Sequence, residues 1–75
     1  KEKRFAVKSI KTRIRNKFNV SISELDGAEK WQRVVLGIAI VTNDHKIVDS
    51  TFTKIIQFID GDSRVEILDH FVDIF

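Results

Sequence analysis

The apolar residues of this chain change their spacing at Phe18, and that change limits the fold more than any other feature. Before it, Ala6, Val7, Ile10, Ile14 and Phe18 fall on one arc at about 100° per residue, the spacing of a helix with one buried stripe. From it onward, Phe18, Val20 and Ile22 alternate with Asn19, Ser21 and Ser23, the period of two that suits a half-buried strand. Asn16 and Asn19 flank the change, and Asn tolerates the left-handed conformation that closes helices.

"LDGAEKW" follows as a turn, with Asp26 and Gly27 supplying the turn chemistry. A loop from Asp26 to Lys30 sets Leu25 opposite Trp31 and pairs Ile22 with Val34, Val20 with Leu36 and Phe18 with Ile38. All six of these last side chains then share one face, whereas a one-residue slip splits them. The second strand runs from Trp31 to about Val41. "TND" announces a helix, for which Asn43 or Asp44 accepts hydrogen bonds from the free N–H groups of the first turn. From Ile47, the residues Val48, Phe52, Ile55, Ile56, Phe58 and Ile59 cover half the helix circumference, and Gly61 stands where a left-handed cap ends it. "RVEILDHFVDIF" is expected to be the last strand, with Leu68, His70, Val72 and Ile74 on one face and Asp69, Phe71, Asp73 and Phe75 on the other. Val65 and Ile67 sit out of phase with the inward set, which predicts a bulge or bend near Leu68.

A chain of 75 residues makes one domain, and at this length only about 60% of the unfolded surface is buried. The chain has no cysteine, hence no disulfide framework and no thiolate metal site, and a cytoplasmic location is the default expectation. Its longest apolar run, Val34 to Val41, is eight residues, well below the roughly 20 of a membrane-spanning helix. The basic, amphipathic start of the sequence does not read as a signal peptide.

Helix, strand, strand, helix, strand is an α+β order, the ferredoxin-like split βαβ pattern with its first strand absent. In the complete βαββαβ arrangement that strand is central, so its absence leaves unpaired strand edges. The expectation is a single domain over residues 1–75, N-terminally incomplete, with a strand of about ten residues and a loop before Lys1.

"KEKR", "RNKFNVSISELD", "WQR" and "LGIAIV", in this order and spacing, resemble the bacterial YlxP family of short cytoplasmic proteins, a domain-of-unknown-function family. The resemblance spans nearly the whole chain. It implies a ferredoxin-like fold with two helices on one sheet face, and a beginning with a strand and a loop ending in "SLKEKR". It implies no established activity. By gene neighbourhood it implies a link to translation or ribosome assembly. Phe5 and His70 depart from the small polar and apolar residues usual at those positions.

Charge singles out the first helix. The net charge is +2, yet residues 1–17 carry +7 and the remaining residues −5. Lys1, Arg4, Lys8, Lys11 and Arg15 follow steps of three and four, which stacks them in one row beside the apolar stripe. Like charges so spaced destabilise a helix by about 0.2–0.5 kcal/mol per pair, so the row is costly without an anionic partner. It reads as a surface that tracks nucleic-acid phosphates, with Arg13 and Lys17 extending its field, or else as a solvated face kept for solubility.

The open face of the sheet is the second candidate. The expected register points Leu25, Trp31, Arg33, Val35, Ala39 and Val41 away from the helices, joined by Phe71 and Phe75 through the last strand. Single-stranded RNA stacks on such aromatics in RNA-recognition motifs, but "RVVLGIAIV" lacks that family's signature aromatics. The favoured reading of Trp31, Arg33, Val35 and Phe71 is a protein interface, with a homodimer as one form of it.

Catalytic chemistry finds little support. His45 and His70 lie far apart on different elements, without the short spacing of a metal site. Glu24, Asp26 and Glu29 cluster at the expected hairpin turn, and "DGD" at Asp60 to Asp62 offers weak cation binding at most; neither has the ligand count of a calcium loop, and both read as solvated turns. Ferredoxin-like folds include acylphosphatases, whose phosphate loop precedes the first helix and would fall before Lys1. The expectation is therefore a small cytoplasmic protein with no enzymatic activity, no metal, no cofactor, no small-molecule substrate and no membrane association. It binds RNA or a ribosomal surface through the row on the first helix, or else it self-associates through the open sheet face.

Overall fold

The computed structural model describes residues 2–28 and 33–74. Four elements follow one another: helix α1 (Glu2–Lys17), strand β1 (Ser21–Ala28), strand β2 (Arg33–Ala39) and helix α2 (His45–Asp60). The fold is α+β, two helices with one two-stranded antiparallel sheet.

α1 buries the stripe its spacing predicts, with Ala6, Val7, Ile10 and Ile14 all buried. Ile10 and Ile14 meet Ile22 of β1 and Ile55 of α2 in the centre of the core, ringed by Phe18, Val20, Leu36, Ile38, Phe52, Phe58, Ile59 and Val65. Both helices thus cover the same face of the hairpin. Removing a side chain of this size from water contributes about 1.5–3 kcal/mol, so these few isoleucines carry much of the stability.

β1 starts later than its alternation suggests. Phe18 N–H closes the end of α1 on Ile14 O at 2.9 Å, and Val20 N–H turns back to Phe18 O at 3.0 Å. With those backbone groups used in the turn, Phe18 and Val20 reach the core from a connection and not from a strand. The far end of β1 continues through Ala28, into the turn expected at Asp26 to Lys30.

The register differs accordingly. Ile22 pairs with Ile38 and Ser23 with Gly37, where the sequence suggested Ile22 with Val34. The displacement is four residues, an even number, so the pleat keeps every side chain on its expected face. Val34, Leu36 and Ile38 lie half-buried inward, while Arg33, Val35 and Ala39 face outward. A bulge between Glu24 and Asp26 absorbs Leu25. The expected pairing of Leu25 with Trp31 involves a position outside the described residues.

α2 is opened by Asp44, whose carboxylate accepts from Lys46 N–H at 2.9 Å. Its end departs from expectation: Gly61 has φ −77° and ψ −5°, right-handed and not left-handed. Gly61 N–H bonds Gln57 O and Asp62 N–H bonds Ile59 O, each at 3.0 Å, so the chain leaves through tight turns that need no positive φ.

Residues 65–74 form no strand, contrary to the expectation for "RVEILDHFVDIF", and the bulge or bend predicted near Leu68 has no ladder to interrupt. The alternation is present, but a strand is held by its neighbour, and among the described residues β1 and β2 pair only with each other. Val65 packs against the core, while Leu68, Phe71, Val72 and Ile74 are exposed. His70 is exposed too, outside any sheet, and its N–H donates to Asp69 Oδ1 at 2.8 Å.

Candidate nucleic-acid interface

The helical period that buries Ile10 and Ile14 also sorts the cations of α1 into two sets. Successive residues turn by about 100°, so Lys11 and Arg13 stand on opposite flanks of the helix. Arg4, Lys8, Lys11 and Arg15 lie on the flank beside β1, whereas Arg13 and Lys17 lie beside α2. Of the seven cations expected to share one field, the six described ones therefore form two sets. Lys1 lies outside the described residues.

On the first flank, the ends of the row are tied to the sheet. Arg4 Nη1 donates to both carboxylate oxygens of Glu24 at 2.8 Å, across 20 positions of sequence. Arg15 Nη2 donates to Ile22 O at 3.4 Å. Arg4 is thus a docking residue between α1 and β1, not an open phosphate contact, and Glu24 belongs to a strand and not to an acidic turn. Between these anchors Lys8 is exposed and Lys11 half-buried. A half-buried lysine lays its methylenes on apolar surface and keeps its ammonium at the water boundary.

On the second flank, Lys17 Nζ stands 5.3 Å from the centroid of the Phe58 ring and 6.0 Å from that of Phe18, within reach of a cation–π attraction. Arg13 lines an open cleft of about 580 Å3 together with Gln57, Phe58, Asp62, Ser63 and Arg64. Within that cleft Asp62 Oδ1 accepts from the N–H of Arg64 at 2.9 Å and from its Nε at 3.0 Å, while Oδ2 accepts from Nη2 at 2.7 Å. The side-chain and backbone hydrogen bonds from Arg64, helped by the charge of Arg13, hold the Asp62 carboxyl down to about 2 from 3.8. The same contact raises Arg64 above its ordinary value. A carboxylate engaged this way has few lone pairs left for a cation. Asp-x-Arg is a pattern in which an aspartate bonds the backbone two residues on, and it was the available signal for this turn.

The outward sheet face is as apolar as its alternation implies. Val35 is 50% exposed and Leu25 67%, and Arg33 is exposed beside them. Phe71 is 88% exposed but belongs to no strand, so the ladder that was to bring it onto this face does not form. Trp31 and Phe75 lie outside the described residues. Among the described residues, no cluster of three or more His, Cys, Asp or Glu side chains can hold a metal ion, and no helix is long and apolar enough to cross a membrane.

Comparison with known proteins agrees with the resemblance carried by the motifs. The family model described as a protein of unknown function, DUF503, matches residues 1–71. The uncharacterized protein YlxP of Bacillus subtilis (strain 168) is 42% identical over 66 residues, covering 88% of this chain and 72% of that relative. No solved structure matches the chain. The basic helix on its hairpin, and the motifs along it, are thus those of a chain that belongs to the DUF503 family of proteins of unknown function.

Proposed function

We propose that this protein is a non-enzymatic, cytoplasmic nucleic-acid-binding module that contacts RNA, free or on a ribosomal surface, through the cations of α1. The observation that carries this reading is the division of labour along the helix. Arg4 and Arg15 are committed to β1, while Lys8, Lys11, Arg13 and Lys17 have neither ion pair nor hydrogen bond among the described residues. Uncompensated positive charge concentrated on one helix favours the release of counterions from a phosphate backbone. The ferredoxin-like architecture belongs to the same proposal, supported by the helix–strand–strand–helix order and by the packing of both helices on one sheet face.

The test is binding to a labelled structured RNA across a salt series, with Lys8→Glu/Lys11→Glu alongside. Four phosphate contacts give a slope of log K against log salt of about −3 to −4. Loss of about half that slope in the variant is the expected result, and absence of binding at low salt overturns the reading.

A second reading, a self-associating or protein-binding module, is supported by the exposure of Leu25 and Val35 on the open sheet face. Sedimentation of the protein and of Val35→Lys separates the two: a dimer lost in Val35→Lys with RNA binding unchanged supports the second.

A further inference from the structure

The cleft beside α2 lies on the flank of α1 opposite Lys8 and Lys11, and the row does not use it. It is an open depression of about 580 Å3 on the surface, wide enough to admit a phosphate group. Asp62 takes Nε and Nη2 of Arg64, which locks the guanidinium in place and leaves Nη1 outside that fork. Arg13 faces it from the other helix with neither ion pair nor hydrogen bond among the described residues. Lys17 adds an ammonium group at the Phe58 ring.

We propose that this cleft binds a phosphate ester, held between the guanidinium of Arg13 and the Nη1 side of Arg64. A guanidinium presents parallel N–H donors that match phosphate oxygens, and Arg13 and Arg64 both line this one cleft. Asp62 and Arg64 neutralise one another, so the net positive charge at the cleft comes from Arg13 and Lys17, while Nη1 of Arg64 supplies hydrogen-bond donors. The inference deepens the nucleic-acid reading and rests on it. The phosphate belongs to a polynucleotide backbone or to a free nucleotide, and the recognising chemistry is the same for both. The rival role for Arg13 and Lys17 is structural. α2 carries no basic residue in its last turn, and cations from α1 offset the negative end of its dipole.

The deciding experiment titrates the isotopically labelled protein with adenosine monophosphate and, separately, with a ten-nucleotide oligouridylate, following backbone amides by NMR. The wild type is compared with Arg13→Gln, Arg13→Lys and Lys8→Glu/Lys11→Glu. Shifts of the amides of Gly61, Ser63 and Arg64 are expected. Arg13→Gln weakens the interaction about tenfold, as loss of one charge-assisted hydrogen bond does. Arg13→Lys keeps the charge beside α2 but lacks the planar fork, so binding weakens while stability is retained. Shifts with the mononucleotide that survive Lys8→Glu/Lys11→Glu assign the cleft to a free nucleotide even if the oligonucleotide does not bind, which would defeat the row. Shifts with the oligonucleotide alone assign it to a backbone phosphate. Oligonucleotide binding that leaves these amides unmoved overturns the cleft and preserves the row. Equal affinity in all three Arg13 forms overturns it as well, leaving Arg13 its structural role.

Discussion

Arg4 and Glu24 meet through two hydrogen bonds of 2.8 Å from a single guanidinium nitrogen, and the contact fastens the first turns of α1 to β1 beside its bulge. Arg4 keeps 38% of its side chain exposed and Glu24 19%, so solvent screens the pair. A double-mutant cycle of Arg4→Ala and Glu24→Ala, read by urea denaturation, is expected to give a coupling of about 0.5–1 kcal/mol. A coupling indistinguishable from zero would mean that the sheet holds α1 through its apolar stripe alone.

The two glycines whose surroundings are described demand opposite outcomes. At Gly37 an added Cβ would lie 2.7 Å from Cδ1 of Leu25, which folds over it on the open face. Gly37→Ala is expected to push the exposed Leu25 side chain aside at a cost below about 1 kcal/mol. In a Leu25→Ala background the same change should become neutral or stabilising. Persistence of the full cost there would show that Leu25 is not the obstacle.

Gly61 adopts a right-handed conformation open to any residue, and a Cβ there meets Gln57 O at 3.4 Å and Phe58 O at 3.6 Å, ordinary contacts. Gly61→Ala should stabilise the protein by about 0.4–1 kcal/mol through the unfolded chain. A lower thermal midpoint in the variant would contradict the right-handed cap.

Asp62 sets an acid limit. Its carboxyl titrates at about 2 when folded against 3.8 ordinarily, so its contribution is complete above the ordinary value and is lost as pH falls from about 4 through about 2. Carboxyl carbon shifts across that range should place Asp62 near 2 in the wild type and move it toward 3.8 in Arg64→Gln. Titration of the wild-type residue near 3.8 would rule out the Arg64 clasp.

Among the described residues, Ile14 and Ile55 are the two largest fully buried side chains, and both belong to the central core cluster. Truncation of either to alanine is expected to cost about 2–5 kcal/mol, whereas Val41→Ala, at a residue 95% exposed, should stay within about 0.5 kcal/mol. Equal effects at Ile14 and Val41 in denaturant titrations would contradict the position of the core.

Local periodicity made much of this molecule legible. The stripe from Ala6 to Ile14 is a property of the helix itself, and strand parity alone decides that Leu36 and Ile38 face inward, which is why a four-residue displacement of the register left the faces intact. The Asp44 cap is equally local, a carboxylate reaching an N–H two residues on. The same period, applied to charge, separates Arg13 and Lys17 from Lys8 and Lys11, although a charge count along "KEKRFAVKSIKTRIRNK" merges them. Family membership was legible in the spaced motifs from "KEKR" to "LGIAIV".

Tertiary structure decided whatever depends on a partner distant in sequence. Arg4 reads as a surface cation until β1 places Glu24 against it, and Arg13 meets the Asp62–Arg64 turn only because the end of α2 lies beside α1. Register depends on where a bulge takes up Leu25, and an alternating pattern cannot specify that because each shift by two is equally good for the faces. The segment from Val65 to Ile74 carries the alternation of a strand without becoming one. A helix satisfies its hydrogen bonds within its own residues, but a strand exists only where another strand receives its bonds.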